Sequence, residues 1–90
     1  MRDRDAMTDE AAATLLAWLV AAGFDYDPVY GECCEKATAR AMRVAPSTLS
    51  RWYWEGSGPI RPARILNGRR WYSLDTIVQW LVDGAMEAAD

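Results

Sequence analysis

The sequence predicts a mainly α-helical fold carrying one small β-hairpin, and three observations lead there. Apolar residues recur at helical spacing in separate segments divided by short polar turns. Pro46 and Gly56 bracket one short segment as a starting proline and a closing glycine. Asn67-Gly68 stands between ARIL and RRWY, the strongest short-range hairpin signal a sequence offers. Ninety residues make one domain, 1–90, near the lower size at which a chain folds alone. A hydrophobic fraction of 51% with five Trp supplies its core.

Residues 1–7 hold charges of both signs and no apolar stripe, and are expected to fray. Thr8 fits a helix N-cap, with Asp9 and Glu10 suited to the positive end of the helix dipole. An accessory helix over 8–22 then stops at Gly23. Ala12, Leu15, Leu16 and Leu19 form its stripe, widened by Trp18 and Val20. A helix this apolar covers something, either the body of the domain or a second copy of the chain. FDYDPVYG, residues 24–31, reads as a connecting loop broken at Pro28.

A second helix is expected from Glu32 to Arg43, with Cys34, Thr38, Ala41 and Met42 on its narrow inner face. Lys36, Arg40 and Arg43 share another face, as a solvated helix side or a contact surface. A tight turn at Ala45-Pro46 leads into a third helix, Pro46 to Glu55, closed by Gly56 in a left-handed cap. Leu49, Trp52 and Tyr53 turn inward there, while Ser47, Ser50, Arg51 and Trp54 point elsewhere. Two helices joined by so short a turn, the second polar on one side, make a helix-turn-helix pattern. The hairpin's two-residue turn sets Leu66 opposite Arg69, Ile65 opposite Arg70 and Arg64 opposite Trp71, with Arg64 placed for a cation–π contact on Trp71. Neither face of this ribbon is cleanly apolar, so it is expected to project from the domain. Ser73 caps the last helix, whose inward stripe is Leu74, Ile77, Val78 and Leu81, with Trp80 beside it; Gly84 ends the regular part.

Composition excludes several functions. The chain has no His, which removes the usual general base and the Ser-His and Cys-His pairings of nucleophilic catalysis. Cys33 and Cys34 are its only cysteines, too few for a zinc site and read as reduced helix residues, at least one of them buried. The carboxylate pairs Asp9/Glu10, Asp25/Asp27 and Glu32/Glu35 sit in positions that read as solvated. No glycine-rich phosphate loop, membrane span or signal peptide is present, so the expectation is a cytoplasmic protein with no enzyme activity, cofactor or metal. The net charge of −3 hides an asymmetry. Residues 36–70 hold eight basic residues against Glu55, giving +7, while the remainder holds two arginines against twelve acids, giving −10. One basic face on an acidic body points to nucleic acid.

VAPSTLSRWYWEG, the Pro-flanked RILNGRRWYS and LDTIVQWL together resemble the winged helix-turn-helix of the MerR-like group, in particular the small excisionase and AlpA-type phage regulators. The resemblance covers about residues 32–83 and leaves the first thirty unexplained. The sequence departs from that pattern at Ala45, where a capping Ser, Asp or Asn is frequent, at Arg43, where many members have Gly, and at Ala37, where Glu is common. It implies double-stranded DNA as partner, with the Pro46–Glu55 helix in the major groove and the hairpin, as a wing, on the adjacent backbone or minor groove.

The residue types suit those roles. Arg51 matches a bidentate contact to guanine, while Ser47, Thr48 and Ser50 are short enough for phosphates or base edges. Trp54 rests either on the sugar-phosphate edge or in the core; Trp52 and Trp71 read as structural. Arg64, Asn67, Arg69 and Arg70 on the wing, with Lys36, Arg40, Arg43 and Arg61, are suited to phosphates. An excisionase of this kind binds adjacent sites cooperatively, self-associating on DNA, and bends them for an integrase. The alternatives are a small transcription regulator, a DNA-packaging recognition module and, from another class, a protein-interaction module such as an antirepressor.

Overall fold

The computed structural model describes residues 4–88, with side chains described over 5–84. Among the described residues, four helices, α1 (Arg4–Ala22), α2 (Glu35–Met42), α3 (Pro46–Glu55) and α4 (Leu74–Ala88), surround a four-stranded antiparallel sheet of order β1-β2-β4-β3. Its strands are β1 (Tyr26–Asp27), β2 (Glu32–Cys34), β3 (Arg64–Leu66) and β4 (Arg69–Ser73). No helix of the described residues is long and apolar enough to cross a membrane.

α1 packs against the body of the domain, chiefly on α4. Leu15 and Leu19 are buried, and Met7, Ala11 and Trp18 pack beside them. The buried stripe is therefore rotated from the expected one: Ala12, Leu16 and Val20 face outward. Thr8 is not an N-cap. The helix already begins at Arg4, because Asp5 suits its first turn and Met7 finds the core, so most of the stretch expected to fray is ordered. Residues 1–3 of that stretch lie outside the described residues. α4 likewise runs through Gly84 to Ala88. A helical glycine costs only about 1 kcal/mol relative to Ala, and the Ala-Met-Glu-Ala that follows it favours helix.

The expected loop 24–31 holds a strand and a tight turn. The Asp27 carboxylate accepts from the amides of Val29 and Tyr30, and Gly31 closes the turn in the left-handed region at φ 65°. β2 then pairs with β4 through Glu32–Ser73, Cys33–Tyr72 and Cys34–Trp71. Glu32, Cys33 and Cys34 are therefore strand residues, and α2 starts three positions later than the pattern suggested. Both cysteines are free and buried; burial outweighs a contact with the Thr38 hydroxyl and pushes the Cys33 thiol up to about 11.

The β3–β4 hairpin has the expected register, Arg64–Trp71, Ile65–Arg70 and Leu66–Arg69, with Asn67 and Gly68 both at positive φ. It does not stand free of the domain. β4 is an inner strand, Tyr72 is buried, and the exposed part of the hairpin is its tip, Ile65 to Arg69. The remaining core joins Ala37, Ala39 and Met42 of α2, Leu49 of α3, Ile60, and Ile77, Val78 and Val82 of α4.

α2 and α3 are joined by residues 43–45. Arg43 closes α2 in the left-handed region at φ 60°, where glycine is the ordinary occupant. Ala45 holds N-cap geometry for α3 (φ −70°, ψ 145°) but offers no side-chain oxygen. Ala45→Ser is therefore expected to stabilise the domain by about 1 kcal/mol. That corresponds to a rise of roughly 4–8 °C in the midpoint of thermal unfolding followed by circular dichroism.

Candidate nucleic-acid interface

α3 presents one unpartnered face. Leu49 is buried, and Trp52 and Tyr53 are half-buried against the body. Ser47, Ser50, Arg51 and Trp54, spaced i, i+3, i+4 and i+7, share the opposite side. Ser47, Arg51 and Trp54 are exposed, Ser50 is half-exposed, and Thr48 is half-buried at the helix start. Trp54 is 75% exposed, so it does not belong to the core. Its ring meets Tyr53 edge-on at 5.1 Å between centroids, which steadies a large apolar surface beside a guanidinium. Arg51 makes no ion pair among the described residues.

The C-terminus of α3 is seated by two devices. Gly56 adopts φ 68° and donates to the Tyr53 carbonyl, while the Ser57 amide donates to that of Trp52. Arg61 adds a side-chain cap: its Nη1 donates to the Trp52 carbonyl at 3.0 Å and to the Ser57 carbonyl at 3.4 Å. This cation, expected at a phosphate, thus holds the last turn of α3.

The three arginines of the hairpin are all engaged by carboxylates. Arg64 donates through Nε to Glu32 at 2.6 Å and through Nη2 to Asp27 at 3.0 Å, with its guanidinium 4.2 Å from the centre of the Tyr30 ring. It does not stack on Trp71; Arg69 does, at 5.1 Å, while also reaching Asp25 at 2.9 Å. Arg70 grips Glu35 with both Nε and Nη2, at 2.5 and 2.9 Å, and lies 4.8 Å over the Tyr53 ring of α3. The Tyr72 hydroxyl donates to the same Glu35 carboxylate at 3.2 Å. Burial, reinforced by that carboxylate, pushes the Tyr72 hydroxyl up to about 12. The hydrogen bond to Glu32 raises the Arg64 guanidinium, and the one to Glu35 raises that of Arg70, so both stay charged.

Asp25, Asp27, Glu32 and Glu35 are therefore all partners of the hairpin; Asp25 stays solvated as the sequence suggests, whereas Asp27, Glu32 and Glu35 do not. Glu32 is buried. Arg70 is the joint of this network: it ties β4 to the first turn of α2 and to an aromatic of α3. A signal existed in the count, since four acids between 25 and 35 match three hairpin arginines, but partners 32–44 positions apart carry no periodicity.

Among the other expected phosphate contacts, Lys36, Arg40 and Arg43 are exposed and make no ion pair among the described residues. Lys36 lines a cleft of about 420 Å³ between the 23–25 segment and the hairpin, with Asp25, Arg69 and Arg70. Arg40 and Arg43 line a different groove, toward α1. Asn67 is exposed at the hairpin tip with φ 53°. Among the described residues no cluster of His, Cys, Asp or Glu forms a metal site. Comparison with known proteins finds no matching family model, no matching curated protein and no matching solved structure.

Proposed function

We propose that this chain binds double-stranded DNA by sequence, as a winged helix-turn-helix whose reading helix is α3. The observation that carries the reading is the free face of α3, where Ser47, Ser50, Arg51 and Trp54 are held outward on the second helix of a closely joined pair. Arg51 supplies the bidentate fork for guanine O6 and N7, and the serines supply short donors for phosphates or base edges. Trp54 covers the sugar edge or a thymine methyl. Lys36 and the exposed turn of Asn67 and Gly68 add backbone contacts. In this reading Arg61, Arg64, Arg69 and Arg70 serve as braces that hold α3 and the wing at a fixed angle.

The sequence resemblance extends the proposal to an excisionase of a phage or prophage, which bends DNA so that an integrase complex forms. Its partners would be DNA, the recombinase and neighbouring copies on adjacent sites, and the chemistry would be the recombinase's. A gel shift with duplexes tiled across the protein's own genomic neighbourhood tests the reading. Binding is expected to weaken steeply with salt, and Arg51→Ala is expected to lose roughly 5- to 150-fold in preference for the cognate duplex, the 1–3 kcal/mol of one bidentate contact. A circular-permutation assay separates excision from simple regulation, because only the former requires a strong bend.

A protein-interaction module is the second reading. It is favoured by the neutralised hairpin arginines and the net charge of −3, and it predicts partner binding insensitive to salt.

A further inference from the structure

The arginines of this protein fall into two groups. Arg61, Arg64, Arg69 and Arg70 each hold a carbonyl or carboxylate. Arg40 and Arg43, like Arg51 of α3, hold neither among the described residues, although the chain carries thirteen acids against ten basic residues. Both stand on the rim of a groove of about 600 Å³ between α1, α2 and α4. Its floor is apolar: Ala11, Leu15 and Trp18 of α1, Ala41 of α2 and Leu81 of α4. The two alanines make the hollow, because a larger side chain at either would fill it. No residue of α3 or of the β3–β4 hairpin lines it.

We propose that this groove docks an amphipathic helix of a partner protein whose apolar stripe is flanked by acidic residues. Charge complementarity selects the occupant. An apolar floor rewards a leucine-like stripe, and the two guanidiniums beside it reward carboxylates that flank that stripe. Phosphates would match the arginines but leave Trp18 and Leu81 without cover. The backbone adds a second observation. Arg43 occupies the left-handed region at φ 60°, where glycine would relieve the strain but remove the cation. A charge kept at a strained position points to a use for that charge.

The test uses the full chain and three stapled helical peptides that share one leucine stripe and carry Glu, Gln or Lys beside it, followed by fluorescence anisotropy. The Glu peptide is expected to bind about tenfold or more tighter than the Lys peptide, an electrostatic preference of at least about 1.4 kcal/mol. In the Arg40→Glu, Arg43→Glu chain the preference reverses toward the Lys peptide, with thermal unfolding as a control because both side chains are exposed. Thr14→Trp, at an exposed position of the groove, abolishes binding of all three. Equal binding of the Glu and Lys peptides, or an unreversed preference in the charge-swapped chain, overturns the proposal. A salt-sensitive dimer in sedimentation that the charge swap dissolves assigns the groove to a second copy and overturns it as well. So does an Arg40→Gln, Arg43→Gln chain that loses as much DNA affinity as Arg51→Ala, since that places the two arginines on phosphates.

Discussion

Gly58→Ala is expected to destabilise the domain by about 2–4 kcal/mol, combining overpacking with a left-handed backbone. Gly58 lies at φ +87°, and a Cβ there would sit 2.4 Å from Cγ and 2.9 Å from Cβ of Trp52. These are the near atoms of the Trp52 side chain, so a rotamer change does not clear the clash and α3 itself has to shift. A domain of this size has roughly 5–13 kcal/mol of stability in total, which makes the loss a large fraction. The thermal midpoint is expected to fall by roughly 10–25 °C. Gly68→Ala is the control: it shares a positive φ of 76° but meets nothing within 4 Å, so it carries the backbone strain alone. Equal melting of the two variants would contradict the packing argument. Because Trp52 is opposite the free face of α3, a surviving fraction of Gly58→Ala should also bind DNA weakly.

The second large effect is at Arg64. Removing it leaves Glu32, whose side chain is 9% exposed, as a buried carboxylate without its cation. Removing one partner of a buried pair is strongly destabilising; Arg64 is itself 30% exposed, so solvent screening moderates the effect, and Arg64→Ala is expected to lower the unfolding midpoint clearly but by less than Gly58→Ala. Urea unfolding at neutral pH measures it. The pH dependence gives an independent reading through Asp27. Partial desolvation pushes that carboxyl up, but the amides of Tyr30 and Val29 and the Arg64 charge outweigh it and hold it below its ordinary value of 3.8. A carboxyl lowered by folding stabilises the protein above its unfolded value, and that contribution is lost as pH falls through the folded one. The parent should therefore lose stability below about pH 4. The gap between parent and Arg64→Ala should narrow there, because the variant has already lost the Arg64 part of the effect. A gap that stays constant to low pH would mean that Arg64 acts through packing alone.

Sequence reading recovered what local chemistry dictates. Asn67-Gly68 fixed the hairpin register residue by residue, and Pro46 and Gly56 bounded α3, because both signals act within a few positions. It missed β1 and β2, since strands of two and three residues have no period to detect and exist only because β4 offers an edge. Thr8 and Gly84 misled for the same reason: capping signals are weak beside core contacts such as that of Met7. The candidate site was legible on α3, where helical spacing alone separates the buried Leu49 from the exposed Arg51. The hairpin arginines were not, because nothing local tells a guanidinium meant for phosphate from one held by Glu32 or Glu35. The acidic segment 25–35, left unexplained by any resemblance for most of its length, is what makes that difference.

The division between a reading helix and braced hairpin arginines is tested most directly by comparing Arg51→Ala with Arg69→Ala. Arg69 is the informative partner, since its side chain is 54% exposed and its removal leaves the well-solvated Asp25 behind, so the fold survives. Binding isotherms for the parent and both variants, on one cognate duplex across a salt series, give affinity and salt slope together. Arg51→Ala is expected to lose about tenfold or more, while Arg69→Ala stays within about twofold and keeps the parent's slope. An Arg69→Ala chain that loses as much as Arg51→Ala, with its slope shallower by about one, would place the hairpin arginines on phosphates and contradict that division.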